Sequence, residues 1–279
     1  MIQNGDSILM YHGTPSRDAA QLERQLRALS LVFHIVPLGE LAKPRRNGRR
    51  RVALTFDDGL KSNIEVAYPI LRKLGLPATF YVCPGLVESG GWMWNHEARQ
   101  RLLSLAPQAL AELADTVGAP AKVEAFIDWM KGLKLAARQK VERDIRAATP
   151  GFRPTQAQRD EFDVARWRDL KALDSRVVTV GSHTMSHPIL TSLVPDEMEA
   201  EMRESRSVLE RELGREVKHF CYPNGDLDQE TVVAARRYYD SAVTVEPGSL
   251  DADVDLHRLP RFAADARRTL RLARRLAFG

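Results

Sequence analysis

Only two cysteines occur in the chain, Cys83 and Cys221, so no disulfide framework organises it. Both fall at expected strand ends and read as buried free thiols rather than a bridge or a metal site. No stretch is long and apolar enough to span a bilayer. The N-terminus, MIQNGDSILMYHG, lacks both the charged lead and the apolar core of an export signal. As written the chain reads as cytoplasmic, or as one whose export sequence has been removed. Internal repeats are absent, and biased composition is confined to short basic runs. The charge balance also lacks a large excess. Lys and Arg number 41 against 37 Asp and Glu, a net charge of +4. The surplus is local, which argues against dedicated nucleic-acid binding.

What is present is ordinary for a globular protein: 279 residues, 44% hydrophobic and 28% charged, enough for a full core in one or two domains. Along the chain, apolar β-forming runs alternate with amphipathic helical patterns. Strands are expected at 7–13, 31–36, 51–56, 77–83, 177–182, 217–222 and 241–245. Helices are expected at about 62–74, 162–173, 197–213, 229–239 and 265–277. Ser16 is a cap for a helix carrying Leu22, Leu26 and Leu29 on one stripe, and 38–42 is a short helix. Residues 97–158 break the alternation with three helical patterns, 98–113, 122–133 and 136–147, and no strand signal. This is a helical insertion or cap within one domain spanning 1–279. Such alternation implies a parallel sheet covered by helices, and with polar residues at the strand ends a (β/α) barrel fits best.

Two of those strand ends carry the chemistry. Thr55-Phe56-Asp57-Asp58-Gly59 puts two adjacent carboxylates after one buried run. Gly181-Ser182-His183-Thr184-Met185-Ser186-His187 puts two histidines four apart after another. Histidines at that spacing share a face of a helical turn. With a carboxylate from Asp57 or Asp58 they offer three protein ligands to one metal ion, leaving a position open for water. Either motif alone is weak, since Asp-Asp-Gly is also a good turn. The two together place reactive groups at one pole of an α/β sheet.

TFDDG with His-Thr-x-x-His resembles the NodB-like polysaccharide deacetylases, carbohydrate esterase family four. The likeness runs from about 52 to 261 and leaves the 97–158 insertion uncovered. It implies a distorted, seven-stranded barrel that removes N-acetyl groups from amino sugars or N-acetylated polysaccharides. It also implies a general base, Asp57, and one divalent transition metal on Asp58, His183 and His187. Zinc is the first expectation, with cobalt, nickel or iron as alternatives. The family's late Leu-x-His acid motif is missing, since His257 lies in an unmatched HRLPR. Instead Ile8-Leu9-Met10-Tyr11-His12 looks like that motif moved to the front, as in the circularly permuted poly-N-acetylglucosamine deacetylases. The resemblance therefore implies His12 as general acid, a core histidine being the alternative.

The family's Arg-x-Pro motif is replaced by Phe220-Cys221-Tyr222-Pro223-Asn224-Gly225, similar to the FAYPYG variant of the permuted subgroup. Tyr222 and Pro223 would line the floor of the site, with a backbone N–H at or next to Tyr222 as an oxyanion donor. Arg261 is the candidate to orient Asp57 in place of the missing arginine; a purely structural arginine is the alternative. Trp94, and less so Trp92, could stack on a sugar ring or pack on the barrel rim. Two other readings stay open: an Asp-His-His set also suits a non-haem iron oxygenase, and such a barrel could be a non-catalytic sugar-binding module. The basic loop PRRNGRRR at 44–51 reads as a solvated connector. Arg267, Arg268, Arg271, Arg274 and Arg275 on the last helix read as charge suited to its C-terminal end, or as peripheral contact with anionic lipid.

Overall fold

The computed structural model describes residues 5–43, 48–269, 272 and 276. Its strands are β1 (Ser7–Tyr11), β2 (His34–Ile35), β3 (Arg51–Phe56), β4 (Ala78–Val82), β5 (Val178–Ser182), β6 (His219–Cys221), β7 (Ser241–Val243) and β8 (Phe262–Ala263). Helices α1 (Ala19–Val32), α2 (Tyr68–Leu74) and α3 (Pro84–Ser89) lie between the early strands. Then come α4 (Trp94–Leu103), α5 (Pro107–Val117), α6 (Val123–Lys131), α7 (Leu135–Ala148), α8 (Gln156–Phe162) and α9 (Trp167–Lys171). Last are α10 (Pro195–Leu213) and α11 (Gln229–Tyr238).

β1, β3 and β4 are buried along their whole length, as strands with helices or a barrel interior on both faces must be. The strands pair in the order β7-β6-β5-β4-β3-β1-β8, with β2 alongside the start of β3. Every one of these pairings is parallel. The residues just ahead of β8 reach back to the other edge, where Leu259 bridges Val243 and Arg261 N–H donates to Glu246 O at 2.8 Å. A curled α/β sheet of seven strands, with β2 as an extra short one, matches the distorted barrel expected. The N-terminal strand β1 sits between β3 and β8, so the first and last strands of the chain are neighbours.

Several boundaries differ from the sequence reading, for local reasons. The pattern at 98–113 is two helices, because Pro107 starts a new one at its first turn. The expected helix at 162–173 is the end of α8 and the separate α9. Between them 163–165 leaves helical geometry to pair with the loop after β3, through the Leu60–Val164 bridge and Ala165 N–H to Gly59 O. The strand at 31–36 shrinks to β2 because α1 runs on to Val32. Leu31 and Val32 are therefore exposed helix-end residues. Ser16 opens a 3-10 turn and caps nothing. Helix α3 escaped the reading, although Pro84 at its start and left-handed Gly90 at its end are the usual markers.

The helices α4 to α7 bury a core of their own, with Trp94, Leu102, Phe126, Ile127, Met130 and Ile145 at its centre. Most of the last-helix arginines fall outside the described residues. Arg267 pairs with Asp18 and Asp265, and Arg268 with Asp265. Leu272 and Leu276 are buried in the main core. Among the described residues no helix is long and apolar enough to cross a membrane.

Candidate active site

The strand ends converge as the register requires. Tyr11 pairs with Phe56, so the next residues, His12 and Asp57, lie side by side on neighbouring strands, and Asp57 N–H donates to Tyr11 O at 2.9 Å. After Asp57 the chain turns sharply: Asp58 has φ 73° and Gly59 φ 61°. Asn63 Nδ2 holds the turn by donating to Asp57 O at 3.1 Å. The turn sends the two carboxylates in different directions. The left-handed region disfavours side chains, yet Thr184 (φ 65°) and His187 (φ 58°) at the end of β5 occupy it too. Backbone strain of this kind gathers at functional sites.

Asp57 faces Arg261. The guanidinium grips its carboxylate with both forks, Nη1 to Oδ1 at 2.7 Å and Nη2 to Oδ2 at 2.8 Å. It is itself held by Thr244 O at 2.7 Å, Thr55 Oγ1 at 3.0 Å and Cys221 Sγ at 3.2 Å. Arg261 is wholly buried and Asp57 nearly so. Burial alone would raise the Asp57 pKa, but the charge and hydrogen bonds of Arg261 outweigh it, and His12 and His183 add to the effect. The carboxyl stays below its ordinary range.

Asp58 faces the histidines. Its Oδ1 lies 3.5 Å from His183 Nε2 and 3.7 Å from His187 Nε2, and the three donor atoms lie within 4.8 Å of one another. Those spacings suit donors sharing one ion through bonds of ~2.0–2.2 Å. The donor chemistry fits as well. His183 Nδ1 lies 2.7 Å from Cys221 O; a carbonyl can only accept, so Nδ1 carries the proton and Nε2 is left free to ligate. His187 Nδ1 is buried without a hydrogen-bond partner among the described residues. Burial, followed by the nearby His183, pushes the His187 pKa down to about 3, which keeps the ring neutral. His183 goes the other way. Burial would lower it, but its contacts with Cys221 and Asp58 hold it above the histidine range, so a metal would displace a proton from it. A second cluster, Asp57, His183 and Cys221, also has metal-ligand types in reach, but Arg261 already occupies both oxygens of Asp57.

Two supports of this site escaped the sequence reading. Glu201 on α10 accepts hydrogen bonds from Met185 N–H (2.7 Å), Ser186 N–H (3.0 Å) and Ser186 Oγ (2.7 Å), which pins the loop between the histidines. Nothing in a strongly charged helix singles out one glutamate. His96, on the first turn of α4, stacks on Phe162 with ring centres 4.7 Å apart. Its pKa is lowered by burial, against the pull of Asp58. A position in the GGWMWNH stretch was its only signal.

Other expectations need correction. Trp94 is buried in the helical core with the Arg138 guanidinium 4.6 Å above its ring, so it offers no free face to a sugar. Trp92 is buried too, in line with the packing favoured for it, its Nε1 donating to Asp163 Oδ1 at 2.8 Å. Tyr222 and Pro223 are buried beneath the strand ends, with Tyr222 Oη donating to His257 O at 2.9 Å. The Tyr222 N–H already donates to Val243 O at 3.3 Å, and Pro223 has no N–H, which weakens this turn as an oxyanion donor. His257 is tied through Nε2 to Tyr239 O at 2.8 Å. Both cysteines, by contrast, are free and buried as expected.

Comparison with known proteins shows the family and the fold. The sequence profile of the polysaccharide deacetylases matches residues 45–239. YxkH of Bacillus subtilis (strain 168), whose name assigns it to the polysaccharide deacetylases, is 20% identical over 265 residues, covering 91% of this chain and 69% of that protein. The fold resembles Streptococcus pyogenes deacetylase PplD in complex with acetate, with TM-score 0.65, 20% identity and 97% of each chain covered. It also resembles IcaB from Ammonifex degensii, with TM-score 0.64, 18% identity and 99% and 98% covered. The chain belongs to the polysaccharide deacetylase family, a family of carbohydrate de-N-acetylases.

Proposed function

We propose that this chain hydrolyses the N-acetyl group of an amino sugar within a glycan, with Asp57 as general base, His12 as general acid and Asp58, His183 and His187 as the holders of one divalent metal, zinc first. The observation that carries the reading is the division of labour between the two carboxylates: Asp57 is locked on Arg261 and Asp58 is turned toward the two histidines. An oxygenase would use the Asp-His-His set but has no use for a second, arginine-locked carboxylate beside it.

Asp58, His183 and His187 would hold a divalent metal here, and such an ion would lower the pKa of its water and polarise the acyl carbonyl. Asp57, kept ionised by Arg261, accepts the proton of the attacking water. His12, exposed at the end of β1 next to Asp57, gives a proton to the nitrogen as the C–N bond breaks. Acetate and a free amine leave. Arg261 acts by positioning: its two-pronged grip fixes the plane of the Asp57 carboxylate.

The test is acetate release from N-acetylated sugars, monomers to polymers, with zinc supplied, run alongside metal analysis of wild type and His183→Ala. The expected result is release by wild type and about one metal per chain, largely lost in the variant. Full metal occupancy in His183→Ala would reject the ligand set.

A further inference from the structure

We infer that His96 binds the substrate: from the rim that α4 lends to the site, its imidazole edge hydrogen-bonds a hydroxyl of the sugar that carries the N-acetyl group. The inference rests on the de-N-acetylation reading.

Helix α4 is fixed on two sides, and both fixings turn His96 toward the catalytic pole. Trp94, Ala98 and Leu102 lie four apart and are buried in the insertion core. Ile189, two residues after His187, is buried in that same core. The turn of α4 that holds His96 is therefore packed against the loop that holds the two metal-site histidines. His96 is two positions from both Trp94 and Ala98, about 200° around the helix. It projects from the opposite face, away from the insertion core.

On that face the ring stacks on Phe162, with centres 4.7 Å apart and planes 25° from parallel. Phe162 ends α8, and its neighbours touch the other strand ends. A Cβ on Gly13, next to His12, would lie 3.6 Å from Glu161 O. Lys61 N–H, just after the Asp57–Asp58 turn, donates to Asp163 O at 2.8 Å. His96 thus stands where the segments after β1, β3 and β5 meet. The charges agree with this placement: Asp58 and His12 both act on His96, and His96 acts on His187.

The ring is also free to bind. Neither of its nitrogens has a hydrogen-bond partner among the described residues, and neither is sealed from solvent as His187 Nδ1 is. His219 and His257, by contrast, are tied to Ser241 Oγ and Tyr239 O. His96 belongs to no group of metal-ligating atoms among the described residues. Phe162 covers one ring face, so the ring offers its polar edge. Burial lowers its pKa, and a neutral imidazole has one N–H donor and one bare nitrogen acceptor. A hydroxyl, itself donor and acceptor, fits either nitrogen; an anion would fit only one.

The test measures acetate release from the N-acetylglucosamine tetramer by the metal-loaded full chain, in wild type, His96→Phe and His96→Gln. His96→Phe keeps a ring on Phe162 and removes both nitrogens. His96→Gln keeps a donor and an acceptor and removes the ring. Metal content and melting temperature are measured on each sample. The expected result is KM raised roughly fivefold in His96→Phe, the scale of one lost hydrogen bond, with kcat and metal held, and KM largely restored in His96→Gln. An unchanged KM in His96→Phe, or a His96→Gln no better than His96→Phe, overturns the contact and leaves His96 as packing. A fall in kcat with KM held in both variants would assign the ring to proton transfer and also overturn it. Should His96→Phe melt early, His96→Gln decides: KM near wild type supports the contact and a raised KM overturns it. No acetate from wild type would instead defeat the functional reading. The contact is then decided by tetramer binding in titration calorimetry: binding weakened in His96→Phe and kept in His96→Gln supports it, and equal binding in all three, or none in wild type, overturns it.

Discussion

Asp57 and Asp58 are adjacent in sequence and face opposite partners, Arg261 for the one and the histidine pair for the other. The left-handed Asp58 separates them, and what each faces then sets its behaviour. Arg261 is the residue most exposed to a decisive test. In Arg261→Met the buried Asp57 loses its counter-charge, so burial dominates and its pKa rises. The acid limb of the kcat/KM profile should move to higher pH. The sign for stability follows from the same shift. The folded pKa of Asp57 lies below the unfolded ~3.9, so the pair stabilises above that pH and loses its effect as pH falls through the folded value. Removing the arginine at neutral pH should cost about 3–5 kcal/mol, since a buried charge is left unpaired. A pH–rate profile and a urea melt check both; an unmoved acid limb would contradict the positioning role. His12→Ala is the complementary case. As His12 is exposed and outside the metal group, the variant should keep fold and metal while turnover falls ~10²–10⁴-fold. Equal turnover would remove His12 from the reaction.

At the scale of elements, the ends of β1, β3 and β5 and the segment leading into β8 each deliver one part of the site, and a loop needs something to hold it. For the loop after β5 that support is α10, through Glu201. Glu201→Gln keeps the shape but replaces one accepting oxygen with a donor facing N–H groups. Metal affinity should fall ~10–100-fold, as for other outer partners of metal ligands. Metal titration of wild type and variant checks this, and unchanged affinity would show that the loop holds itself. What could be read from sequence divides along the same line. TFDDG and the His-Thr-x-x-His stretch were legible because each combines a buried run with reactive residues at its end, a purely local signal. Trp94 was not, because a loop tryptophan and the first residue of an insertion helix look alike until Arg138, on α7, is seen above the ring. Glu201 lies fourteen residues beyond His187 in sequence, on a helix crowded with other glutamates. The bond from Tyr222 N–H to Val243 O depends on β6 meeting β7, which no local pattern reports.

For the whole molecule, the order of strands matters more than their order in the chain. β1 lies between β3 and β8, so a strand carrying Tyr11-His12 at the start of the sequence arrives beside Asp57. Arg261, 204 residues after Asp57, arrives from the other side. The site thus joins both ends of the chain to its middle, and the helices α4 to α8 flank it. On the proposed reading Asp57 acts in proton transfer while Asp58 and the two histidines hold the metal. The most direct measurement is acetate release by Asp57→Asn from an N-acetylglucosamine oligomer, with metal content determined on the same sample. The expected result is metal retained at the wild-type level with turnover lowered ~10²–10⁴-fold; wild-type turnover in that variant, or loss of its metal, would rule out this assignment of roles.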